Sequence, residues 1–497
     1  MSLRCLILIL YMSLICISKI ESQAISNIRH YYTGGAFDAS NISHYYNGEF
    51  TYSFFNVKAD TFYYEDQLVL PLKNKDANWI LLKLNKDGKA VKHAIFRSQL
   101  LTNGNGSKNI TGIKSMAFRN GEIYLTMRAG GYLEMNGAKI EGNYDHSSPL
   151  VTRYVNNVVL GLDENFNLIF QKFFESSLTL ISDIAINGDV RYILGTFWWD
   201  SIVIEGQSIS RAGSALLRKS YLNAYDLDQD TLLTKTCFAG GGTSNQLGPM
   251  VFDKQGNVYI ALIHDSERLF LDEVYVAGNF GGANGLIIKL NPSGKVIDYF
   301  STIVPNKNCY IRHLILNQYD EIMVFGRALE YTEDSLAYIG QNGNSPINTN
   351  KNWATFMFKL NENMETEWYN LWGTDTGHMS SFDKAFIDEE DNIYFTLYNE
   401  KGFEIKDLQG NIYGKGNNIC KIDQAGNILY HNNVGELLTY FHDMKLKSEN
   451  ILTVNAVLLN NPKEYETLFG KTFRSNRDGV IFDLDIREKI TKLLTFY

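Results

Sequence analysis

The sequence predicts an all-β protein, a seven-bladed β-propeller of four-stranded antiparallel blades. Three observations support this prediction: a short sheet-forming motif recurs about seven times, its copies are almost evenly spaced, and the composition favours strands. Tyr (30) and Phe (29) are abundant, Pro (7) is scarce, and 40 Gly suit a fold with many tight turns. Hydrophobic residues make up 45% of the chain, which is enough for a substantial core.

The first 22 residues have the pattern of a signal peptide. Arg4 gives a positively charged start, residues 5–17 form an apolar run, and Ser18 and Ser22 are small residues suited to cleavage. The alternative is an uncleaved anchor, although the run is short for a membrane span. We expect a secreted or cell-surface protein whose mature part, residues 23–497, is one propeller domain that does not insert into a membrane.

The formal net charge is −9, and no basic patch stands out along the chain. Binding of nucleic acid depends on clustered Lys and Arg that neutralise phosphates. Nucleic acid is therefore not an expected partner. The sequence gives no indication of the oligomeric state.

The repeat is clearest at residues 80–88, which form the pattern of a strand, a tight turn and a second strand. The turn begins with Asn or Asp, whose side chain can bond its own backbone, and ends with Gly, which accepts positive φ. This pattern predicts a hairpin. The central apolar residue recurs at intervals of roughly 60 to 80 residues, at Leu84, Leu162, Leu227, Leu290, Leu360, Ile422 and Leu484.

A second hairpin follows roughly 30 residues after each first one, most clearly at residues 251–260. Two hairpins per repeat predict a four-stranded sheet. Residues 64–70 are interpreted as the return strand of a degenerate first copy. A third element, as at residues 195–206, is interpreted as the chain crossing to the next sheet with a small extra hairpin.

A single four-stranded sheet of this size cannot bury both of its faces, but sheets stacked around an axis can. We expect the strands near residues 50–57 to complete the blade begun by residues 480–485, so that the ring closes. The competing architectures are an open β-solenoid or two smaller sandwiches. They are less favoured because no Pro- or Ser-rich linker divides the chain.

The repeats have a recognisable pattern: Gly-x-Phe, an apolar hairpin, Lys-Leu-Asn/Asp-x-x-Gly, and Asp-x-x-Gly-Asn-apolar-Tyr. Residues 195–206, 289–294 and 253–259 carry these parts. The pattern resembles the bacterial SBBP-type β-propeller repeat family over most of residues 60–485. The resemblance implies an extracellular propeller and transfers no catalytic residue to this chain.

An extracellular location would allow disulfides and N-glycosylation, and the sequence contains candidates for both. Cys237 and Cys309 lie near loops of neighbouring repeats and are candidates for a disulfide in an oxidising compartment. Asn41, Asn105 and Asn109 begin N-glycosylation sequons, which would be used only if a eukaryote makes the protein.

Two features are candidates for ligand binding. Asp226, Asp228 and Asp230 have the carboxylate spacing of a calcium loop, but they coincide with a predicted hairpin turn where Asp is expected anyway. Calcium is thus a candidate ligand, and no cofactor is required. Trp198 and Trp199 could stack a sugar or a partner side chain, or pack between blades.

No catalytic motif stands in a suitable context. The leading functional hypothesis is a scaffold that binds an extracellular protein or glycan through loops on one propeller face. The alternative is an extracellular glycan hydrolase or lyase with acidic residues in the central channel. An enzyme of that kind should place several acidic or His residues at equivalent inner-strand positions. A third hypothesis, a structural coat or matrix component, predicts self-association.

Overall fold

The computed structural model is all-β, and every regular element among its described residues is a strand. The strands, in chain order, are β1 (Ile25–Thr33), β2 (Ala39–Tyr46), β3 (Thr51–Val57), β4 (Thr61–Tyr64), β5 (Leu68–Pro71), β6 (Asn78–Leu84), β7 (Ala90–Gln99), β8 (Gly112–Arg119), β9 (Glu122–Ala129), β10 (Tyr132–Met135), β11 (Ala138–Lys139), β12 (Asn156–Leu162), β13 (Leu168–Phe174), β14 (Thr179–Asn187), β15 (Val190–Phe197), β16 (Ser201–Ile204), β17 (Gln207–Ser210), β18 (Lys219–Asp226), β19 (Leu232–Gly240), β20 (Gln246–Phe252), β21 (Val258–His264), β22 (Arg268–Leu271), β23 (Val274–Gly278), β24 (Asn284–Leu290), β25 (Val296–Ile303), β26 (Asn308–Leu316), β27 (Ile322–Leu329), β28 (Leu336–Gly340), β29 (Ser345–Asn348), β30 (Trp353–Leu360), β31 (Thr366–Gly373), β32 (Ser380–Ile387), β33 (Ile393–Asn399), β34 (Ile405–Asp407), β35 (Ile412–Gly414), β36 (Asn417–Ile422), β37 (Ile428–Gly435), β38 (Leu438–Ser448), β39 (Ile451–Leu458) and β40 (Gly479–Asp485).

The structure describes these strands and the short turns between them. The described residues are 25–33, 39–46, 49–57, 59, 61–65, 68–72, 78–99, 112–129, 132–141, 156–174, 179–197, 201–204, 207–210, 219–240, 246–264, 268–271, 274–278, 284–303, 308–329, 336–340, 345–348, 353–373, 380–399, 405–407, 411–414, 416–435, 438–458 and 479–486.

Seven antiparallel sheets, each with a four-stranded core, form the blades of a propeller. The cores are, for blades 1 to 7, β2-β3-β6-β7, β8-β9-β12-β13, β14-β15-β18-β19, β20-β21-β24-β25, β26-β27-β30-β31, β32-β33-β36-β37 and β38-β39-β40-β1. The first strand of each blade contacts the first strand of the next, and β38 of blade 7 contacts β2 of blade 1. The blades therefore close into a ring with their first strands innermost, as the sequence predicts.

Blade 7 contains strands from both ends of the chain, because β1 pairs with β40 as its outer strand. The sequence-based choice of the closing strand is wrong: residues 51–57 form β3, which lies between β2 and β6 in blade 1. Both segments contain aromatic residues, so strand propensity alone does not distinguish them. Closure in this form joins the two chain ends by backbone hydrogen bonds.

Short hairpins between the second and third strands extend the preceding blade. Hairpins β4–β5, β10–β11, β22–β23, β28–β29 and β34–β35 pair with the outer strands β1, β7, β19, β25 and β31, and β16–β17 forms a separate two-stranded sheet. Extra hairpins are thus present, and five of the six described ones tie neighbouring blades together. The interpretation of this element as the chain crossing to the next sheet is wrong, because the hairpins leave and re-enter the same blade. Residues 64–70 are not a return strand of a first repeat copy; they fall in the β4–β5 hairpin, which extends blade 7.

The repeat register predicted for blade 3 is wrong by two residues. The central apolar residue of each repeat, which we call the anchor, pairs with the start of the second strand of its blade, as Leu290 does with Val258. In blade 3 the residue in this position is Tyr225, which pairs with Arg191. Asp226 then begins the turn, because its carboxylate accepts the backbone N–H groups of the two residues that complete it. The following Leu-Asp pair, Leu227-Asp228, imitates the Leu-Asn of the other copies in sequence only.

A β-bulge interrupts the pairing of every innermost strand with its neighbour. A bulge leaves a backbone N–H without a ladder partner. In blades 2 and 6 a buried Thr on the second strand accepts it: Thr126 from Ser115 N at 3.1 Å and Thr396 from Lys384 N at 3.0 Å. In blade 4 the corresponding residue is Pro249, which has no N–H to satisfy.

Apolar clusters fill the spaces between neighbouring blades, as between blades 1 and 2 and between blades 3 and 4. Outer strands also contact the turn between the third and fourth strands of the next blade. Three such hydrogen bonds are Tyr64 Oη to Gly88 O (2.9 Å), Thr236 Oγ1 to Gly294 O (2.8 Å) and Trp368 Nε1 to Gln424 O (2.8 Å). Each blade therefore positions its neighbour through both apolar packing and directed polar bonds.

Candidate functional site

A polar recess of about 490 Å³ lies between the outer parts of blades 5 and 6. We call it the rim groove. Its lining residues come from β31, the β34–β35 hairpin and β37 with its preceding turn, and they are Asn370, Asp407, Asn411, Ile412, Tyr413, Gly426, Asn427, Ile428 and His431. The volume is within the range of small-ligand sites in proteins.

One wall of the rim groove is formed by the β34–β35 hairpin. The buried carboxylate of Asp407 accepts Asn411 N and Nδ2, both at 2.8 Å, and Tyr413 Oη at 2.9 Å. Burial, with the nearby Cys420 and Asp407, raises the pKa of Tyr413 far above its ordinary value, so its hydroxyl stays a donor. Asp407, Asn411 and Tyr413 therefore hold one another in place without any ligand.

The same turn is used elsewhere in the ring. In blade 4 the carboxylate of Asp253 accepts Asn257 N, Asn257 Nδ2 and Tyr259 Oη at 2.8, 2.7 and 3.2 Å. The repeated Asp-x-x-Gly-Asn-apolar-Tyr motif is thus a self-contained turn whose acid is satisfied internally. The acid by itself indicates no catalytic role.

The hairpin is fastened to blade 6 through the carbonyl oxygen of Tyr413. His431 Nε2 lies 2.9 Å from this oxygen and 2.9 Å from Asn418 Oδ1. Because both neighbours are acceptors, Nε2 carries the proton and donates. Asn433 Nδ2 donates to the same two oxygens at 3.2 and 2.9 Å. These bonds fix the distance between the two walls.

The opposite wall is the turn that precedes β37. Asn427 donates from N and Nδ2 to the carboxylate of Asp423 at 2.8 and 2.9 Å. Burial opposes ionisation of Asp423, but these hydrogen bonds outweigh it and lower the pKa of the carboxyl. Gly426 has φ of 84° and lies against the Trp368 ring, which a side chain would approach to 3.4 Å. The positive φ is the reason that Gly is favoured there, since a Cβ at 3.4 Å from the ring would make an ordinary contact.

The described lining of the rim groove is almost uncharged. Asp407 is the one carboxylate among these residues, and three donors already satisfy it. Ile412, of which 55% is exposed, and Ile428 give apolar surface beside the amides. The groove can therefore hold a neutral molecule that offers both hydrogen-bonding groups and an apolar face, and no Lys or Arg is among its described lining residues.

The candidate calcium residues lie in the turn after β18, each with separate contacts. Asp226 accepts the N–H groups of Asp228 and Gln229, Asp228 lies 3.6 Å from Arg119, and Asp230 binds both Lys172 and Arg191. Within the described residues no group of three or more His, Cys, Asp or Glu side chains is placed to hold a metal ion. These contacts give no support to the calcium interpretation.

Cys237 in blade 3 and Cys309 in blade 5 are both buried, and neither forms a disulfide. The Cys309 thiol donates to Thr302 Oγ1 at 3.2 Å, and burial raises its pKa to about 12. The suggested bridge between Cys237 and Cys309 is therefore not formed in this structure. The two strands belong to sheets that blade 4 separates, a separation that spacing along the chain does not reveal.

Other predicted site residues are only partly described. Trp198, Trp199, Asn105 and Asn109 lie outside the described residues. The backbone of Asn41 lies in β2, opposite Phe55 of β3. The stacking and glycosylation predictions for these residues stay predictions.

The innermost strands allow a test of the enzyme alternative at one equivalent position, which is the second residue of each bulge. These residues are Ser43, Ser115, Asp183, Pro249, His313, Lys384 and Asp443. They share no chemistry. The Asp183 carboxylate accepts Ser115 Oγ, and also Ile184 N and Met250 N, so it joins blades 2, 3 and 4.

Sequence reasoning missed the rim groove. The signal for one wall was present, because 407–413 repeats the turn motif of 253–259. A motif search finds this turn motif, but it does not show that the motif faces a second turn in the neighbouring sheet.

No protein-family model matches the chain, and no curated protein matches it. The SBBP-type resemblance therefore stays a prediction. Among solved structures, the chain is similar to a protein of unknown function from Dyadobacter fermentans, with 10% identity, a TM-score of 0.34, and coverage of 79% of this chain and 99% of that one.

Two further similarities are to the WD40 β-propeller domain of Doa1 and to a DUF4221-family protein from Bacteroides vulgatus. The first has 7% identity and a TM-score of 0.31 and covers 75% of this chain and 93% of that one. The second has 10% identity and a TM-score of 0.30 and covers 76% and 93%. Among the described residues, no helix has the length and apolar character needed to cross a membrane.

Proposed function

We propose that this protein is a secreted or cell-surface β-propeller that acts as a binding scaffold for an extracellular protein or glycan. The N-terminal sequence supports the address, since a charged start, an apolar run and small residues form a signal-peptide pattern. Under this proposal the ring is a rigid support, and binding takes place at a recess formed between blades.

The rim groove is the observation that supports the proposal best. Its walls are fixed by internal bonds of Asp407, Asp423 and His431. A preformed recess does not have to be ordered when a ligand binds, which lowers the entropic cost of binding. In the part of the lining that the structure describes, there is no Ser or Cys nucleophile and no second carboxylate that could act with Asp407 as an acid–base pair.

The test uses the mature chain on arrays of extracellular proteins and glycans. Ile412→Glu places a charge in the rim groove, and Ile297→Glu is the matched control, because Ile297 is similarly exposed (51% against 55%) on the outer strand of blade 4. We expect a ligand that the wild type and Ile297→Glu retain and that Ile412→Glu binds at least tenfold more weakly. Retention that is unaffected by Ile412→Glu would contradict the groove as the site, and conversion of a bound glycan would support the enzyme alternative instead.

The address is tested separately. Secretion of the full chain, followed by N-terminal sequencing, should give a mature protein that begins near residue 23. Retention of the whole leader in a membrane fraction would contradict secretion and favour an anchored surface form.

A further inference from the structure

The rim groove presents amide groups whose orientation is already determined. Asn411 Nδ2 donates to Asp407 and Asn427 Nδ2 donates to Asp423, at 2.8 and 2.9 Å. Because one N–H of each NH2 group points at the carboxylate, the amide orientation is set and Oδ1 of each amide is left as an acceptor. Two hydrogen-bond acceptors in the groove are therefore held in place by buried or partly buried carboxylates behind them.

Asn370 supplies the complementary donor. Its Oδ1 accepts Leu371 N at 2.9 Å, and the side chain is almost fully buried at 4% exposure. This bond directs the carbonyl end toward its own strand and leaves Nδ2 as the group able to donate to a ligand. The groove thus combines two fixed acceptors with one fixed donor.

The remaining lining selects against charged ligands. Among the described residues that line the groove, none is a Lys or Arg that could hold a phosphate, sulfate or carboxylate, and the Asp407 carboxylate is occupied by Asn411 and Tyr413. A ligand with a net charge would lose its hydration without gaining a counter-charge. The apolar surface of Ile412 and Ile428 suits the C–H face of a ring that carries hydroxyl groups at its edge.

We propose that the rim groove binds a neutral saccharide, with hydroxyl groups donating to Asn411 Oδ1 and Asn427 Oδ1 and accepting from Asn370 Nδ2. This inference depends on the proposed binding function and specifies its ligand. Hydroxyl groups both donate and accept, so one saccharide ring can satisfy both kinds of group. An extended peptide is less suited, because it would need a longer free strand edge than the three residues of β35.

The experiment measures binding to the mature protein by titration calorimetry. The probes are a neutral hexose oligosaccharide series, a uronic-acid oligosaccharide series and an uncharged peptide. Asn427→Ala removes one acceptor, and Asn167→Ala is its matched control. Asn167 makes the same two bonds to Asp163, both at 2.8 Å, in the corresponding turn of blade 2.

We expect a neutral oligosaccharide to bind the wild type and Asn167→Ala equally and Asn427→Ala at least tenfold more weakly, with equal thermal stability of the two variants. If the acidic series or the peptide binds instead, and Asn427→Ala or Ile412→Glu weakens that binding, the saccharide inference is wrong while the binding function stands. If no probe or array ligand responds to either groove variant, both are wrong. Should Asn427→Ala unfold, Ile412→Glu provides the same comparison.

Discussion

The guanidinium carbon of Arg191 in blade 3 lies 4.2 Å from the centroid of the Phe170 ring in blade 2. The side chain is fully buried, and in four other blades the corresponding position is a buried Ile or Val: Ile123, Val258, Ile322 and Ile393. Arg191 binds Asp230, which also binds Lys172 at 2.9 Å. A buried and a partly buried cation at the interface of blades 2 and 3 thus share one carboxylate.

Asp230→Asn should destabilise the protein by about 2 to 4 kcal/mol, because it removes the carboxylate that Arg191 and Lys172 share. Arg191→Leu should cost less than about 1 kcal/mol or stabilise, because it restores the aliphatic residue that other blades have. Urea unfolding of both variants and of the double variant measures the coupling. Equal costs for the two single variants would contradict this account.

The inner ring should respond to pH through Asp183. Burial raises the pKa of this carboxyl to about 6, above the roughly 3.9 expected for an unfolded chain. The folded protein therefore binds more protons between these values, and its stability should fall as pH rises from about 4 to about 6. We expect a loss on the order of 2 kcal/mol, measured by urea unfolding across this range.

Asp183→Asn cannot ionise, so its stability should lack the component of the pH dependence that the wild type has between about pH 4 and pH 6. The comparison uses the slope and not the absolute stability, because Asn also alters the bonds to Ser115 and Met250. An unchanged slope in the variant would show that other groups control this pH dependence.

Two glycines on second strands make room for aromatic rings. A Cβ at Gly195 would overlap the Tyr221 ring, and a Cβ at Gly326 would overlap the Phe356 ring and lie 2.5 Å from Tyr310 O. Each Ala variant should lose about 1 to 3 kcal/mol.

Rescue by a smaller partner should differ between these sites. Tyr221→Leu should recover most of the loss in Gly195→Ala, because the three nearest atoms there all belong to that ring. Phe356→Leu should recover less in Gly326→Ala, because the backbone clash remains. Thermal unfolding of the single and double variants distinguishes the two cases, and equal rescue would contradict the packing described.

The bulge in blade 6 depends on a side-chain acceptor. Thr396→Val keeps the shape but removes the oxygen that accepts Lys384 N, so it should cost about 1 to 3 kcal/mol. Thr396→Ser should retain most of the stability. A neutral Thr396→Val variant would contradict a structural role for this bond.

The thiols of Cys237 and Cys309 should resist alkylation in the native protein and react after unfolding. Burial removes them from the reagent, and the raised pKa of Cys309 disfavours its thiolate. Peptide mapping under non-reducing conditions should find both residues alkylated after denaturation. A disulfide-linked peptide pair that contains both cysteines would contradict the absence of a disulfide between them.

The sequence by itself determined the all-β class, the seven repeats and the ring, because strand alternation and Asx-Gly turns act within a few residues of one another. Local signals also predicted the extra hairpins, but not which sheet each one joins. Only the tertiary structure decided that β1 closes blade 7, that Tyr225 is the anchor in blade 3, and that Asp230 faces Arg191 and Lys172. The rim groove likewise exists because two turn motifs in different sheets, at Asp407 and Asp423, are brought together by the packing of one blade against the next. A contact between blades depends on the geometry of the whole ring, and residues that meet in this way carry no mark of it in their own part of the sequence.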